Sequence, residues 1–328
     1  MNKDLIIDVD TGTDDAMALI LAMRTMKDRI LAVTVTHGNL PLVNTLENTL
    51  RVVEFMGGGI PVYAGMPVPM VQDLAPGRTA NQIGQGYRQV IDGEEVCVHE
   101  DYLPLPEATI RPEKEHAVSF LVRTLREAEE PLTIVSVGPA SNIGMALRMD
   151  PTIAGKIGKL IIMGGGMEAV NITSCAEYNF YKDPEAAAVE LAADCEKVIF
   201  PLDATTSVLF GDEDAARIKA LGRPWTDFYA QLMIDFLKRI KLLNIAMTDD
   251  PEYFGIAMHD VYCVLYLLDS SFVTDIKVRD ASVDFGGSLC DGRLCVENRV
   301  YIPKSGKTKI AYRLDKDKIL ELLEKYLA

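Results

Sequence analysis

Apolar runs recur at intervals along the first 205 residues: LIIDVD (5–10), ILAVTVTHG (30–38), IPVYAG (60–65), LTIVSVG (132–138), KLIIMGG (159–165) and KVIFPLD (197–203). They are apolar almost throughout, with no polar residue at every second position. A strand with one wet face alternates, so these runs read as strands buried on both faces. Helical patterns separate them, at 14–26, 42–57, near 114–129, at 139–149 and near 184–193. That succession predicts an α/β fold: a mostly parallel, Rossmann-like open sheet flanked by helices. No Pro/Ser-rich linker interrupts it, so residues 1–328 read as one domain. Two regions break the rhythm. Residues 65–112 form a long stretch containing Gly and Pro, and a loop of that length in a compact domain is usually functional or disordered. After residue 205 come a helical region, strand-like segments around 272–285 and 294–314, and a charged helix to Ala328. This small helical/β extension looks like an appended subdomain.

Open α/β sheets bind ligands beyond the C-terminal ends of their strands. The polar residues gather there: Asp8 and Asp10 after the first run, Thr36-His37-Gly38-Asn39 after the second, Val137-Gly138 after a middle one, and Gly164-Gly165-Gly166 after the next. The first of these turns carries four carboxylates, Asp8, Asp10, Asp14 and Asp15, with no basic residue among them. Helix capping by Thr11 or Thr13, with Asp14 and Asp15 in the first turn, accounts for one or two acids. It does not account for Asp8 and Asp10 as well. Asp8-Val9-Asp10-Thr11 also resembles the DxDx(T/V) opening of haloacid dehalogenase-type phosphatases, with Asp8 as nucleophile. The apolar residues expected next are replaced by TGTDDA, and no acidic GDxxxD motif follows. The third reading is a hard divalent cation, which takes carboxylate and carbonyl oxygens. An EF-hand is excluded, because a loop from Asp8 puts Leu19 where a bidentate Glu belongs. The rest of such a site must come from elsewhere in the chain.

Charge narrows the partners. The net charge is −15, and no Lys/Arg run offers the basic face that nucleic acid requires. An acidic surface also disfavours anionic membranes and polyphosphates, which leaves a neutral small molecule or a cation. No apolar stretch reaches the roughly 18 residues of a membrane span, and the first residues lack a leader pattern, so a cytoplasmic location is expected. The six cysteines (Cys97, Cys175, Cys195, Cys263, Cys290, Cys295) lack CxxC spacing and read as reduced thiols. Cys290 and Cys295 flank Asp291-Gly292, a tight-turn signal.

DVDTGTDDAMAL (8–19) resembles the DTDPGxDDAxAL signature of the inosine-uridine nucleoside hydrolase family. Further matches follow in the family's order. THGN (36–39), VSVGPASNIG (135–144), MGGGMEAVNITSCAEYNFYKDPEAA (163–187) and AMHDVYCVLYLLD (257–269) resemble its later motifs, and DGRLCVENR (291–299) follows one loosely. The resemblance spans nearly the whole chain. It implies Ca²⁺ held by Asp10, Asp15, the Val137 carbonyl and Asp260, with Asp10 as general base on a water at the ion. It implies ribose contacts from Asp14, Asn39, Met163, Asn171, Glu177, Asn179, His259 and Asp260, and places His259 as a leaving-group acid. The reaction implied is hydrolysis of the N-glycosidic bond of a ribonucleoside to free base and ribose, by a homodimer or homotetramer. Asn81, Trp225 and Tyr229 are candidates for the base pocket.

Each assignment has a plainer counterpart. Glu177 and Asn179 could cap the helix that starts near Asp183-Pro184. Trp225, Phe228, Tyr229, Leu232, Phe236 and Ile240 recur at helical spacing, which is the pattern of core packing. Gly164–Gly166 would allow a backbone to approach a sugar closely. The chain also departs from the family: ANQIGQGYR (80–88) lacks the histidine of the usual HGxxGL segment, HDV replaces HDP, and Thr11 replaces Pro. The implied metal ligands are intact. A nucleoside or ribose sensor on the same scaffold is the non-enzymatic alternative, and it predicts binding without turnover.

Overall fold

The computed structural model describes residues 3–71, 88–245, 254–287 and 289–328. The buried runs form the strands β1 (Leu5–Val9), β2 (Ile30–Val35), β3 (Val62–Ala64), β6 (Leu132–Ser136), β7 (Ile157–Met163) and β8 (Glu196–Phe200). The intervening helices are α1 (Thr13–Met26), α2 (Leu42–Phe55), α3 (Ala117–Glu127), α4 (Ser141–Met149), α5 (Tyr178–Lys182) and α6 (Pro184–Ala192). Within the long 65–112 stretch, Arg88–Ile91 (β4) and Glu94–Cys97 (β5) pair as an antiparallel hairpin. Beyond residue 200 come α7 (Leu202–Thr205), α8 (Asp212–Lys219), α9 (Pro224–Leu242), α10 (Val261–Leu268), β9 (Val273–Val278), β10 (Ala281–Val283), β11 (Leu294–Val296), β12 (Thr308–Leu314) and α11 (Lys316–Leu327).

Eight strands make one sheet in the order β3-β2-β1-β6-β7-β8-β12-β9. All its neighbours are parallel except β12 and β9. The C-terminal extension therefore joins the main layer: β12 pairs in parallel with β8, and β9 closes that edge. Within the extension β10 and β11 stand apart as a two-stranded ribbon, as the β4–β5 hairpin does earlier in the chain.

Strand β1 shows why the runs lack alternation. Leu5, Ile7 and Val9 pack into one core and Ile6 into the other, because successive side chains point to opposite faces. Helices α1, α2, α9, α10 and α11 cover the first face; α3, α4 and α6 cover the second. In α9, Phe228, Tyr229, Leu232, Phe236 and Ile240 are buried in the core, as their spacing predicts. The chain leaves β1 outward through β2 and β3, then returns to β6 on the other side of β1. The strand order reverses between β1 and β6, and a crevice opens at such a switch point.

Candidate active site

Asp10 follows the end of β1 and Val137 the end of β6, so both lie at the switch point. Gly12 is the N-cap of α1, which places Asp14 and Asp15 in the first turn. No threonine caps it. Asp15 does so from within: its Oδ2 accepts the Gly12 N–H (2.9 Å) and its Oδ1 accepts the Asp10 N–H (3.1 Å). Thr11 turns away to bond the Thr49 hydroxyl (2.7 Å). The N–H of Asn39 donates to Asp10 Oδ2 (2.6 Å), and its amide Nδ2 donates to Asp15 Oδ2 (3.2 Å). Asn39 therefore ties two carboxylates that would otherwise repel. Gly38 and Gly138 face Asp10 from either side, and a Cβ at either position would collide with its carboxylate.

Asp260 arrives from the N-terminus of α10 and completes the acidic group. Asp14, Asp15 and Asp260 each offer an oxygen within 4.8 Å of the others, and this group could hold a metal ion. Asp10 lies beside them with Oδ1 buried and without a hydrogen-bond partner. Burial, reinforced by the neighbouring carboxylates, pushes Asp10, Asp14 and Asp260 above the usual carboxylate range, Asp14 to about 7. Burial also raises Asp15, against the hydrogen bonds that hold it down. Lys182 of α5 lies within electrostatic reach of Asp10, but burial lowers its own pKa to about 8. Four clustered carboxylates, one with a buried, unpartnered oxygen, suit a hard cation.

Asp8 belongs elsewhere. One residue out of phase with Val9, it faces the second core and is fully buried. Its Oδ1 accepts from the Asn142 amide (2.8 Å) and the Thr34 hydroxyl. A sealed carboxylate cannot attack a phosphate ester, so the phosphatase reading of DVDT fails on geometry. His37 of the THGN motif also turns inward, where its Nε2 meets the Ser141 hydroxyl (3.0 Å).

The loop from β7 to α5 brings in the remaining polar residues. Glu177 is the N-cap of α5, its carboxylate accepting the N–H groups of Asn179 (2.9 Å) and Phe180 (3.2 Å) and that of Gly165 (2.7 Å). It therefore caps this short helix, while Asp183 caps α6. Asn179 donates from Nδ2 to the carbonyls of Val137 (2.7 Å) and Met163 (3.3 Å), joining the ends of β6 and β7. Asn171 accepts the Tyr178 N–H (2.9 Å), and the Tyr178 hydroxyl reaches the Gly38 carbonyl (2.6 Å). Gly164 and Gly165 make room for the Phe180 ring, so the close approach there is to protein.

His259 is half-buried, with Nδ1 2.7 Å from the Thr205 hydroxyl, and burial lowers its pKa to about 4. It is a neutral imidazole at pH 7. A second imidazole, His99, belongs to none of the sequence motifs. It follows the β4–β5 hairpin, and its Nδ1 accepts the Thr13 N–H (3.2 Å) at the start of α1. Phe236 stacks on it at 5.7 Å. Arg239 of α9 clamps this segment through the Val98 carbonyl (3.1 Å), the Glu100 carboxylate (3.2 Å) and the Thr13 hydroxyl (3.3 Å). Burial lowers the pKa of His99 to about 3, and both Arg239 and His259 contribute, which puts the two imidazoles within electrostatic reach. The chain has only four histidines, so testing each is the signal that finds His99.

The base-pocket candidates fare differently. Trp225 donates its indole N–H to the Leu327 carbonyl (2.7 Å) beneath the Arg24 guanidinium. It lies fourteen residues from Arg239 along α9, or about 21 Å at 1.5 Å per residue, and does not reach the acidic group. Tyr229 is fully buried, its hydroxyl 3.4 Å from Met258 Sδ. Asn81 lies outside the described residues.

A buried carboxylate cluster at the switch point of a parallel sheet, flanked by amides and two imidazoles, is suited to polar bond cleavage on a hydroxyl-rich ligand. The chain belongs to the inosine-uridine preferring nucleoside hydrolase family, whose model matches residues 5–321, and is an N-glycosyl hydrolase of ribonucleosides. It is 31% identical over 327 residues to the pyrimidine-specific ribonucleoside hydrolase RihB of Shigella flexneri, covering 98% of this chain and 96% of that protein. Solved structures share the fold. The purine-preferring ribonucleoside hydrolase from Gardnerella vaginalis superposes with a TM-score of 0.81 at 24% identity, over 98% of this chain and 97% of that one. The plant nucleoside hydrolase PpNRh1 gives 0.80 at 24% identity, over 100% and 99%. Among the described residues no helix is long and apolar enough to cross a membrane.

Proposed function

We propose that the chain hydrolyses ribonucleosides with a Ca²⁺ ion held by Asp10, Asp15, the Val137 carbonyl and Asp260, and with Asp10 as the general base. The buried, unpartnered Oδ1 of Asp10 carries this reading. A donor set made only of oxygens suits Ca²⁺, and the Val137 carbonyl keeps a lone pair beyond the one that Asn179 uses. When bound, the ion neutralises the carboxylates and makes water more acidic.

The chain's own residues supply the rest. Asp14, Asn39, Asn171, Glu177, Asn179 and the Met163 carbonyl bind and orient the ribose: the Asn171 amide donates, while Asn39 and Asn179, whose Nδ2 groups are engaged within the protein, accept through Oδ1 alongside the carboxylates. Asp10, wedged between Gly38 and Gly138, takes the proton of the attacking water. Positive charge then develops on the sugar ring, and the buried carboxylates stabilise it without reorganising. His259, seated on Thr205, and His99, seated on the Thr13 N–H, flank the place from which a base departs and offer it hydrogen bonds. The named relatives differ in base preference, pyrimidine-specific in one and purine-preferring in another. We therefore place recognition common to all substrates at the ribose end.

Direct attack by water on a β-nucleoside inverts the anomeric carbon. Proton NMR during uridine or inosine hydrolysis is expected to show α-ribose first, followed by mutarotation. β-Ribose as the first sugar would replace Asp10's role as a base with that of a covalent nucleophile.

A further inference from the structure

All six cysteines are thiols, and two of them meet. Cys175 and Cys290 lie 115 residues apart in sequence, yet their Sγ atoms are 3.6 Å apart. Both are half-buried, close enough to the surface for a small solute to reach. Cys175 sits in the loop that carries Asn171 and ends at the Glu177 cap. Cys290 opens the turn between β10 and β11, closed by the Arg293 N–H on the Cys290 carbonyl (2.9 Å), with Gly292 at φ 80°. Cys295, which the sequence places across this turn, instead points at the Arg293 carbonyl (3.8 Å).

The surroundings divide the two sulfurs into different roles. Cys290 directs its S–H at Cys175. The Ser174 hydroxyl, the Cys290 thiol and the Arg293 guanidinium all stabilise a thiolate at Cys175, lowering its pKa, while Cys175 raises that of Cys290. Arg293 is held there by the Met167 carbonyl (3.1 Å). A cysteine beside a cation, with a second thiol in contact, is the arrangement of a peroxide-reactive cysteine and its resolving partner.

We propose that Cys175 and Cys290 form a reversible disulfide on exposure to hydrogen peroxide, pinning the Asn171–Glu177 loop to the 290–293 turn. The Cys175 thiolate attacks one peroxide oxygen, the O–O bond breaks, and the departing hydroxide takes up a proton as water. Cys175 is then a sulfenic acid. Cys290 gives its proton to solvent and its sulfur attacks Cys175 sulfur. The S–S bond forms as the S–O bond breaks, and the oxygen leaves as a second water. Two thiols are oxidised by two electrons in all, and one peroxide is reduced to two waters. The sulfurs must close from 3.6 Å to about 2.05 Å. Gly292 is wedged against Tyr181, where an added Cβ would lie 2.7 Å from Cα, so the turn holds and the loop gives. That movement reaches Asn171 and Glu177.

The test is peptide mapping of the full chain without reductant, after treatment with hydrogen peroxide. The expected result is an intrachain Cys175–Cys290 peptide, lost on adding dithiothreitol. Cys290→Ser is expected to give no such peptide and to leave Cys175 as a sulfenic acid trapped by dimedone. A wild-type protein that consumes peroxide without this cross-link, or that cross-links between chains, overturns the proposal. A kinetic arm rests on the nucleoside-hydrolase reading: oxidation is expected to raise KM at least threefold in wild type and to leave Cys290→Ser unchanged. A cross-link without a change in KM refutes the coupling to the loop. An inactive protein that still cross-links refutes the hydrolase reading alone.

Discussion

Replacing Asp10 by asparagine is expected to lower kcat on a nucleoside about 10³-fold, roughly 4 kcal/mol in the barrier, with the far-UV circular dichroism unchanged. Asparagine keeps the shape of the carboxylate between Gly38 and Gly138, and its oxygen still accepts the Asn39 N–H. It cannot take a proton from water. Removing one of four clustered negative charges does not threaten the fold, so the loss would be chemical rather than structural. Asp8→Asn is the control. Asp8 is sealed between Thr34 and Asn142 and touches no substrate, so its replacement is expected to leave kcat within a few-fold of wild type. Normal turnover by Asp10→Asn, measured by release of the free base, would remove Asp10 from the mechanism.

The second large effect concerns stability without metal. Asp8 and Asp14 are held at about 7 and Glu190 at about 8, in each case chiefly by burial. Each binds its proton more tightly folded than unfolded. Each therefore stabilises the fold fully below the unfolded value near 4, and that contribution is lost as pH rises through the folded value. Per group the loss reaches about 1.4 kcal/mol for each pH unit within that window. EDTA-treated protein is expected to melt at a higher temperature at pH 5.5 than at pH 8.5. Calcium is expected to reverse much of the loss at pH 8.5 and to do little at pH 5.5, because its ligands must be deprotonated. Asp260→Asn is expected to raise the pH 8.5 melting temperature of the EDTA-treated protein by about 2 °C or more and to abolish the response to calcium. Scanning calorimetry of both proteins at the two pH values checks this. A metal-free protein that gains stability from pH 5.5 to 8.5 contradicts the reading of buried carboxyls that hold their protons in the folded state.

Much of this is legible in the sequence. The Val- and Ile-rich runs are buried on both faces, which removes alternation and marks a parallel sheet. Asp8 reads in the sequence as part of the acidic turn; only the extent of β1 shows that it shares a strand face with Ile6 while Asp10 lies beyond the strand's end. Other features depend on long-range packing. Strand β12 pairs with β8 across more than a hundred residues, so the C-terminal extension looked detached when it is part of the sheet. Helix α5 has five residues, too few to show a period, so the sequence offers Glu177 as a sugar contact or as a cap of the helix after it, and its capping of α5 itself appears only in the structure. His99 is a single histidine in irregular chain, and only Arg239, Phe236 and Thr13 reveal its place. Trp225 had the right chemistry for a base pocket but sits at the far end of α9, under the C-terminal helix.

The most direct measurement is ribose release by a reducing-sugar assay, with inosine, uridine, cytidine, adenosine and guanosine supplied separately, with and without EDTA. The expected result is ribose from at least one nucleoside, abolished by EDTA and restored by calcium, with the ranking reporting the base pocket. Release that is indifferent to EDTA would contradict a metal held by Asp10, Asp15 and Asp260. Calcium bound with no ribose from any of the five would leave a protein that binds the sugar without cleaving it.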